Sequence, residues 1–95
     1  MYEFKNKIAL ITGGSKGIGF ATAKKLSAHG VIVIITGRNV EDLISSSKKI
    51  SQEGSECFYY VCELGNKSDI ENLINKVNEK FGYIDILVNN AAISF

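Results

Sequence analysis

The chain has 95 residues, 45% of them apolar and 22% charged, with a formal net charge of +1. That length allows one small domain, burying only ~60–70% of its unfolded surface. A charge this close to zero argues against nucleic acid or an anionic membrane as a partner. The apolar run Ile8–Ile11, ended by Thr12-Gly13-Gly14, is too short for a signal segment or a membrane span, which makes the cytoplasm the expected location.

In chain order, Lys7 to Thr12 reads as a first strand. Three spaced glycines follow, Gly13, Gly17 and Gly19, and then a helix from about Gly17 to His29, with Ile18, Ala21, Thr22 and Leu26 expected on one side. Gly30 is a natural stop. Val31 to Thr36 is continuously apolar and β-branched, as in a strand covered on both faces. Asn39 can cap a second helix, with Asp42 in its first turn and Val40, Leu43, Ile44, Ser47 and Ile50 at helical spacing. Gly54 ends it, and Glu56 to Val61 is a third strand. Asn66 can cap a third helix, with Asp69 in its first turn and a stripe of Ile70, Leu73, Ile74, Val77 and Phe81, closed by Gly82. Ile84 to Val88 is the fourth strand, followed at once by Asn89-Asn90-Ala91-Ala92.

The order βαβαβαβ predicts an α/β, Rossmann-type, doubly wound parallel sheet with strands in the order 3-2-1-4. Strands 1 and 4 then flank the point where the winding reverses, and ligand binds at their carboxyl ends. The glycine turn and Asn89–Ala92 both lie there. Cys57 and Cys62, on opposite faces of one strand, read as two reduced structural thiols, and no cluster with metal-ligand spacing is present. His29 reads as a solvent-facing helix-end residue.

Strand, glycine turn and helix together form a phosphate cradle. One glycine allows the tight turn, another lets backbone approach the anion, and a third lets the helix pack on the sheet. The helix N-terminus adds free N–H groups and the positive end of its dipole. The spacing here is G-x-x-x-G-x-G. The end of the second strand selects the dinucleotide. A carboxylate there grips the ribose 2′-OH in NAD-binding folds, but this chain has Gly37 and then Arg38. A guanidinium can take a 2′-phosphate by two prongs, and Lys16 can add a second cation. One such contact is worth ~1.5–3 kcal/mol, or roughly 10- to 150-fold in favour of NADP. Glu63 can accept from an adenine amino group or be solvated. Leu64 can offer its N–H to the ring. Ser15 can bond a phosphate oxygen or its own turn. Asn89 and Asn90 can tie strand ends together or touch a ribose.

These residues resemble the short-chain dehydrogenase/reductase family, in particular its 3-oxoacyl-carrier-protein reductases and NADP-dependent ketone reductases. The likeness rests on Thr12-Gly-Gly-Ser-Lys-Gly-Ile-Gly19, Thr36-Gly-Arg38, Cys62-Glu-Leu64 and Ile84-Asp-Ile-Leu-Val-Asn-Asn-Ala-Ala92. It covers the whole chain but only the N-terminal part of a family member. The resemblance implies hydride transfer between NADPH and a carbonyl or alcohol. It implies that Gly13, Ser15, Lys16, Gly17, Ile18 and Gly19 line the pyrophosphate and ribose. Arg38 would hold the 2′-phosphate, Glu63 and Leu64 the adenine, and Asn90 with Ala91 the ribose. Two positions depart from the family pattern: Glu63 stands where Asp is general, and Ala92 where Gly is usual. The family's catalytic Ser and Tyr-x-x-x-Lys pair are not in these residues, because none of Tyr2, Tyr59, Tyr60 and Tyr83 has a lysine four positions on. No catalytic residue is therefore assigned.

The leading expectation is that residues 1–95 are the NADP-binding N-terminal portion of a Rossmann domain, inactive alone. A carbonyl or alcohol substrate would bind only with the missing half supplied. The alternatives are a non-catalytic stand-alone nucleotide-binding module, or a half that needs a partner chain. Full-length family members are often dimers or tetramers.

Overall fold

The computed structural model of the chain describes residues 4–52 and 54–90. Seven elements alternate: β1 (Ile8–Thr12), α1 (Gly17–Ala28), β2 (Ile32–Gly37), α2 (Val40–Gln52), β3 (Cys57–Val61), α3 (Lys67–Phe81) and β4 (Ile86–Asn89). The strands form one sheet in the order β3-β2-β1-β4, with every neighbouring pair parallel. This is the doubly wound, Rossmann-like order expected from the sequence. The two inner strands carry the most apolar runs: β1 is buried throughout, and β2 from Val33 to Thr36. The outer strands β3 and β4 alternate between half-buried and exposed.

Period-two alternation sends strand side chains into two cores. On one face Ala9, Ile11, Val33 and Ile35 meet Ala23 of α1 and Leu43 and Ile50 of α2. On the other, Ile8, Leu10 and Ile34 meet Leu73 and Val77 of α3. The cysteines divide in the same way, Cys57 packing against the first core and Cys62 within the second. His29 is exposed.

Three expectations are corrected. The face of α1 turned to the sheet is Gly19, Ala23 and Ser27, not the Ile18–Ala21–Thr22–Leu26 side. Ile18 is 79% exposed, and of that set only Leu26 packs against the core. Small residues let α1 lie close, and the Ser27 hydroxyl donates to the Ile50 carbonyl at 3.3 Å and the Ser55 carbonyl at 3.1 Å. Second, Ile74 and Val40 sit at the edges of their helical stripes and remain 52% and 45% exposed. Third, β4 starts at Ile86 rather than Ile84. Asp85 pairs with Ile8 through its side chain as well as its backbone: its carboxylate accepts from the Ile8 N–H at 2.8 Å while its own N–H donates to the Ile8 carbonyl at 2.9 Å.

Candidate functional site

In a parallel sheet all carboxyl ends lie together, so Thr12, Gly37 and Asn89 share one end of the sheet with the glycine turn. That turn is fixed from several sides. The N–H groups of Gly13 and Gly14 both donate to the Thr36 carbonyl, at 3.1 and 3.3 Å. Gly13 and Gly17 have φ of 68° and 57°, a region in which side chains are strained. Behind the turn, a Cβ on Gly19 would meet the Gly13 carbonyl oxygen and come within 2.6 Å of Asn90 Nδ2. From α2, the Ser46 hydroxyl donates to the Ser15 carbonyl at 2.8 Å.

The end of β4 completes the frame. Asn90 donates its backbone N–H to Thr12 Oγ1 at 3.0 Å and its side-chain amide to the Gly13 carbonyl at 3.3 Å. Thr12 Oγ1 also lies 3.2 Å from Asn89 Oδ1. Both asparagines thus take part in tying the strand ends together.

The space in front of this frame is a cavity of about 480 Å³, within the range of ligand pockets. Its lining brings together Gly13, Ser15, Lys16, Arg38, Glu63, Leu64 and Asn90, all anticipated from the sequence. Gly17, Ile18 and Gly19 open α1 beside the cavity but do not line it. Ala91 lies outside the described residues.

The start of α1 has features suited to an anion. Lys16 is its N-cap, with extended φ and ψ of −143° and 159°, but its side chain makes no capping bond. No acidic residue occupies the first turn. The first N–H groups of the helix are thus left without side-chain acceptors and carry the positive end of the dipole.

Two ion pairs lie across the cavity lining. Lys16 Nζ is 3.3 Å from Asp42 Oδ2, and Arg38 Nη1 is 3.7 Å from Glu63 Oε2. The Glu63 backbone N–H donates to Asp69 Oδ2 at 2.9 Å, which holds the loop after β3 onto α3. Deeper in the lining is Thr36, whose hydroxyl is buried and has no hydrogen-bond partner among the described residues. Cys62 also lines the cavity, and burial raises its thiol pKa, with the Asp69 and Glu63 carboxylates adding to the effect. Burial pushes Cys57 up to about 12. Both therefore hold their protons at neutral pH and are poor nucleophiles. Among the described residues no cluster suited to a metal ion occurs, and no helix is long and apolar enough to cross a membrane.

Sequence reasoning missed Thr36 and Ser46 as parts of this site, and read Asp42 only as a helix first-turn acid. The signal for Thr36 was available: a polar residue at the carboxyl end of an otherwise apolar inner strand sits where ligands bind. Ser46 and the Lys16–Asp42 pair depend on how α2 lies against the turn, which no spacing reveals.

The arrangement of a Rossmann-like sheet, glycine turn and cavity at the switch point agrees with the relationships of the chain. Residues 7–95 match the family model described as short chain dehydrogenase. The chain is 40% identical over 92 residues to the human short-chain dehydrogenase/reductase 3, covering 96% of itself and 30% of that protein. Among solved structures, it is similar to a metagenomic short-chain oxidoreductase in complex with NADP, at 36% identity and a TM-score of 0.90, over 95% of this chain and 41% of that one. It is equally similar in fold to an NAD+-bound xylitol dehydrogenase, at 32% identity and a TM-score of 0.90, over 96% of this chain and 35% of that one. The chain thus spans roughly a third of the length of its relatives, at the end that carries the glycine turn, and by sequence and by fold it belongs to the short-chain dehydrogenase family.

Proposed function

We propose that this chain is the cofactor-binding portion of an NADP(H)-dependent oxidoreductase acting between a carbonyl and an alcohol. The observation that carries the choice of NADP is the cavity's cation pair. Lys16 and Arg38 both line it, and the carboxylate that would grip a ribose 2′-OH is replaced by Gly37. The residues fit the dinucleotide in two further respects: the uncapped start of α1 suits a pyrophosphate, and the cavity volume suits an adenosine.

When bound, the cofactor supplies or accepts the hydride. The part played by these residues is to bind and orient it. The turn from Gly13 to Gly19 and the first N–H groups of α1 hold the pyrophosphate. Lys16 and Arg38 hold the 2′-phosphate, and Leu64, with the rim around Glu63, flanks the base. Asn90 acts by holding the turn in place. No residue of this chain is given the proton-transfer role.

The test is a titration of the protein with NADP+ and with NAD+, followed by protein NMR. NADP+ binds more tightly than NAD+, and Arg38→Ala lowers NADP+ affinity by about 10-fold, the low end for a charge-assisted contact because Arg38 is solvent-exposed. Tighter binding of NAD+, or an Arg38→Ala change without effect, overturns the assignment.

A further inference from the structure

The charges lining the cavity cancel. Lys16 and Arg38 contribute two positive charges, Asp42 and Glu63 two negative ones, and each cation already faces a carboxylate, at 3.3 and 3.7 Å. A 2′-phosphate therefore does not enter a field of unopposed cations. It must draw each cation from its partner or share it, and the carboxylates remain beside it as like charges. We propose that Asp42 and Glu63 limit the pocket's preference for the 2′-phosphorylated cofactor by competing with that phosphate for Lys16 and Arg38. This deepens the NADP(H) reading above and rests on it.

The two carboxylates differ in ways that matter. Asp42 makes the shorter contact, and its carboxylate also lies in the first turn of α2, against the positive end of the dipole. Replacing Asp42 therefore perturbs a helix start as well as a charge. Glu63 comes from the loop after β3, and its loop is held by its backbone N–H rather than its side chain. Its side chain is free to exchange partners, and Glu63→Gln removes the charge while keeping an oxygen that can accept from an adenine amino group. Glu63 is thus the cleaner probe. All four side chains are solvent-accessible, so each competition is modest and weakens with salt.

The experiment compares NADP+ with NAD+, which differ by the 2′-phosphate alone, on the unmodified protein and on Glu63→Gln, Asp42→Asn and the double variant, by NMR titration at low ionic strength. The quantity read is the ratio of the two dissociation constants. Each single change raises the preference for NADP+ about two- to five-fold, as expected for an exposed ion pair, and the double change about ten-fold. Raising the salt concentration shrinks the difference. An unchanged or reduced ratio in Glu63→Gln overturns the inference, a reduced one meaning that the carboxylate orients Arg38 for the phosphate. If both dinucleotides bind with a ratio indifferent to these changes, the inference fails and the cofactor reading stands. If the unmodified protein binds neither, the cofactor reading fails and takes the inference with it.

Discussion

The starts of α1 and α3 occupy equivalent places in the fold, each following a parallel strand at the same end of the sheet, yet they are finished in opposite ways. Asn66 caps α3 and accepts from the Asp69 N–H at 3.1 Å, while the Asp69 carboxylate lies in the first turn against the dipole. Asn39 does the same for α2 with the Asp42 N–H. At α1 the cap position is a lysine without a capping bond, and the first turn has no acid. Location in the fold cannot explain the contrast, since all three helices begin at carboxyl ends of strands. What distinguishes α1 is the glycine turn before it and the cavity in front of it. The other helices satisfy their first N–H groups from within the chain, whereas α1 leaves its own to whatever enters the cavity.

The largest expected effect comes from forcing α1 away from its turn. A Cβ at Gly19 would meet the Gly13 carbonyl oxygen, which is backbone and cannot swing aside. Gly19→Ala should gain about 0.5–1 kcal/mol of helix propensity, but overpacking costs about 1–3 kcal/mol. Net destabilisation in urea unfolding is the expected result, with weaker NADP+ binding as the turn shifts. A more stable variant would mean that the turn yields, and that the open start of α1 does not depend on this close packing.

The next effect separates the two helix starts. Asn66→Ala removes a cap and should cost about 1 kcal/mol of unfolding free energy, leaving the ratio of NADP+ to NAD+ affinity unchanged. Lys16→Ala should do the reverse. It removes an exposed ion pair worth at most about 1 kcal/mol, and reduces NADP+ affinity severalfold. If Lys16→Ala costs as much stability as Asn66→Ala, the cap lysine serves the fold rather than a ligand.

The same contrast explains how much the sequence disclosed. The sheet order was legible because β1 and β2 are continuous β-branched or apolar runs, and Gly30 and Gly82, with φ of 90° and 81°, mark the helix ends. The caps Asn39 and Asn66 were legible because a capping side chain reaches only three residues along the chain. The packed face of α1 was not legible, because Gly19, Ala23 and Ser27 carry little hydrophobic signal and bury by being small. Of the candidate site, Gly13, Ser15, Lys16, Arg38, Glu63, Leu64 and Asn90 were legible in the sequence as a group, and they line one cavity. Their partners were not: a link such as Lys16 to Asp42 crosses from turn to helix, and its geometry follows from packing rather than from spacing.

The smallest effect is the most direct test of the contrast, because it transplants the finish of α3 onto α1. The backbone of Lys16 is already extended, with φ of −143° and ψ of 159°, close to the φ of −110° and ψ of 114° at Asn66. Lys16→Asn can therefore supply a capping oxygen without moving the chain. A good cap contributes about 0.5–2 kcal/mol, and the lost Lys16–Asp42 pair offsets about 0.2–1 kcal/mol of that because it is exposed. These ranges place the net change between about −0.5 and about +1.8 kcal/mol, and a gain of about 0.6 kcal/mol, from their midpoints, is the result expected by urea unfolding. At the same time NADP+ binding weakens, because a cation is lost and a side-chain oxygen now competes for the N–H groups that would face the pyrophosphate. Opposite movement of stability and affinity in one variant is the signature of a helix start kept open for a ligand. A fall in both would show that the lysine already does the work of a cap.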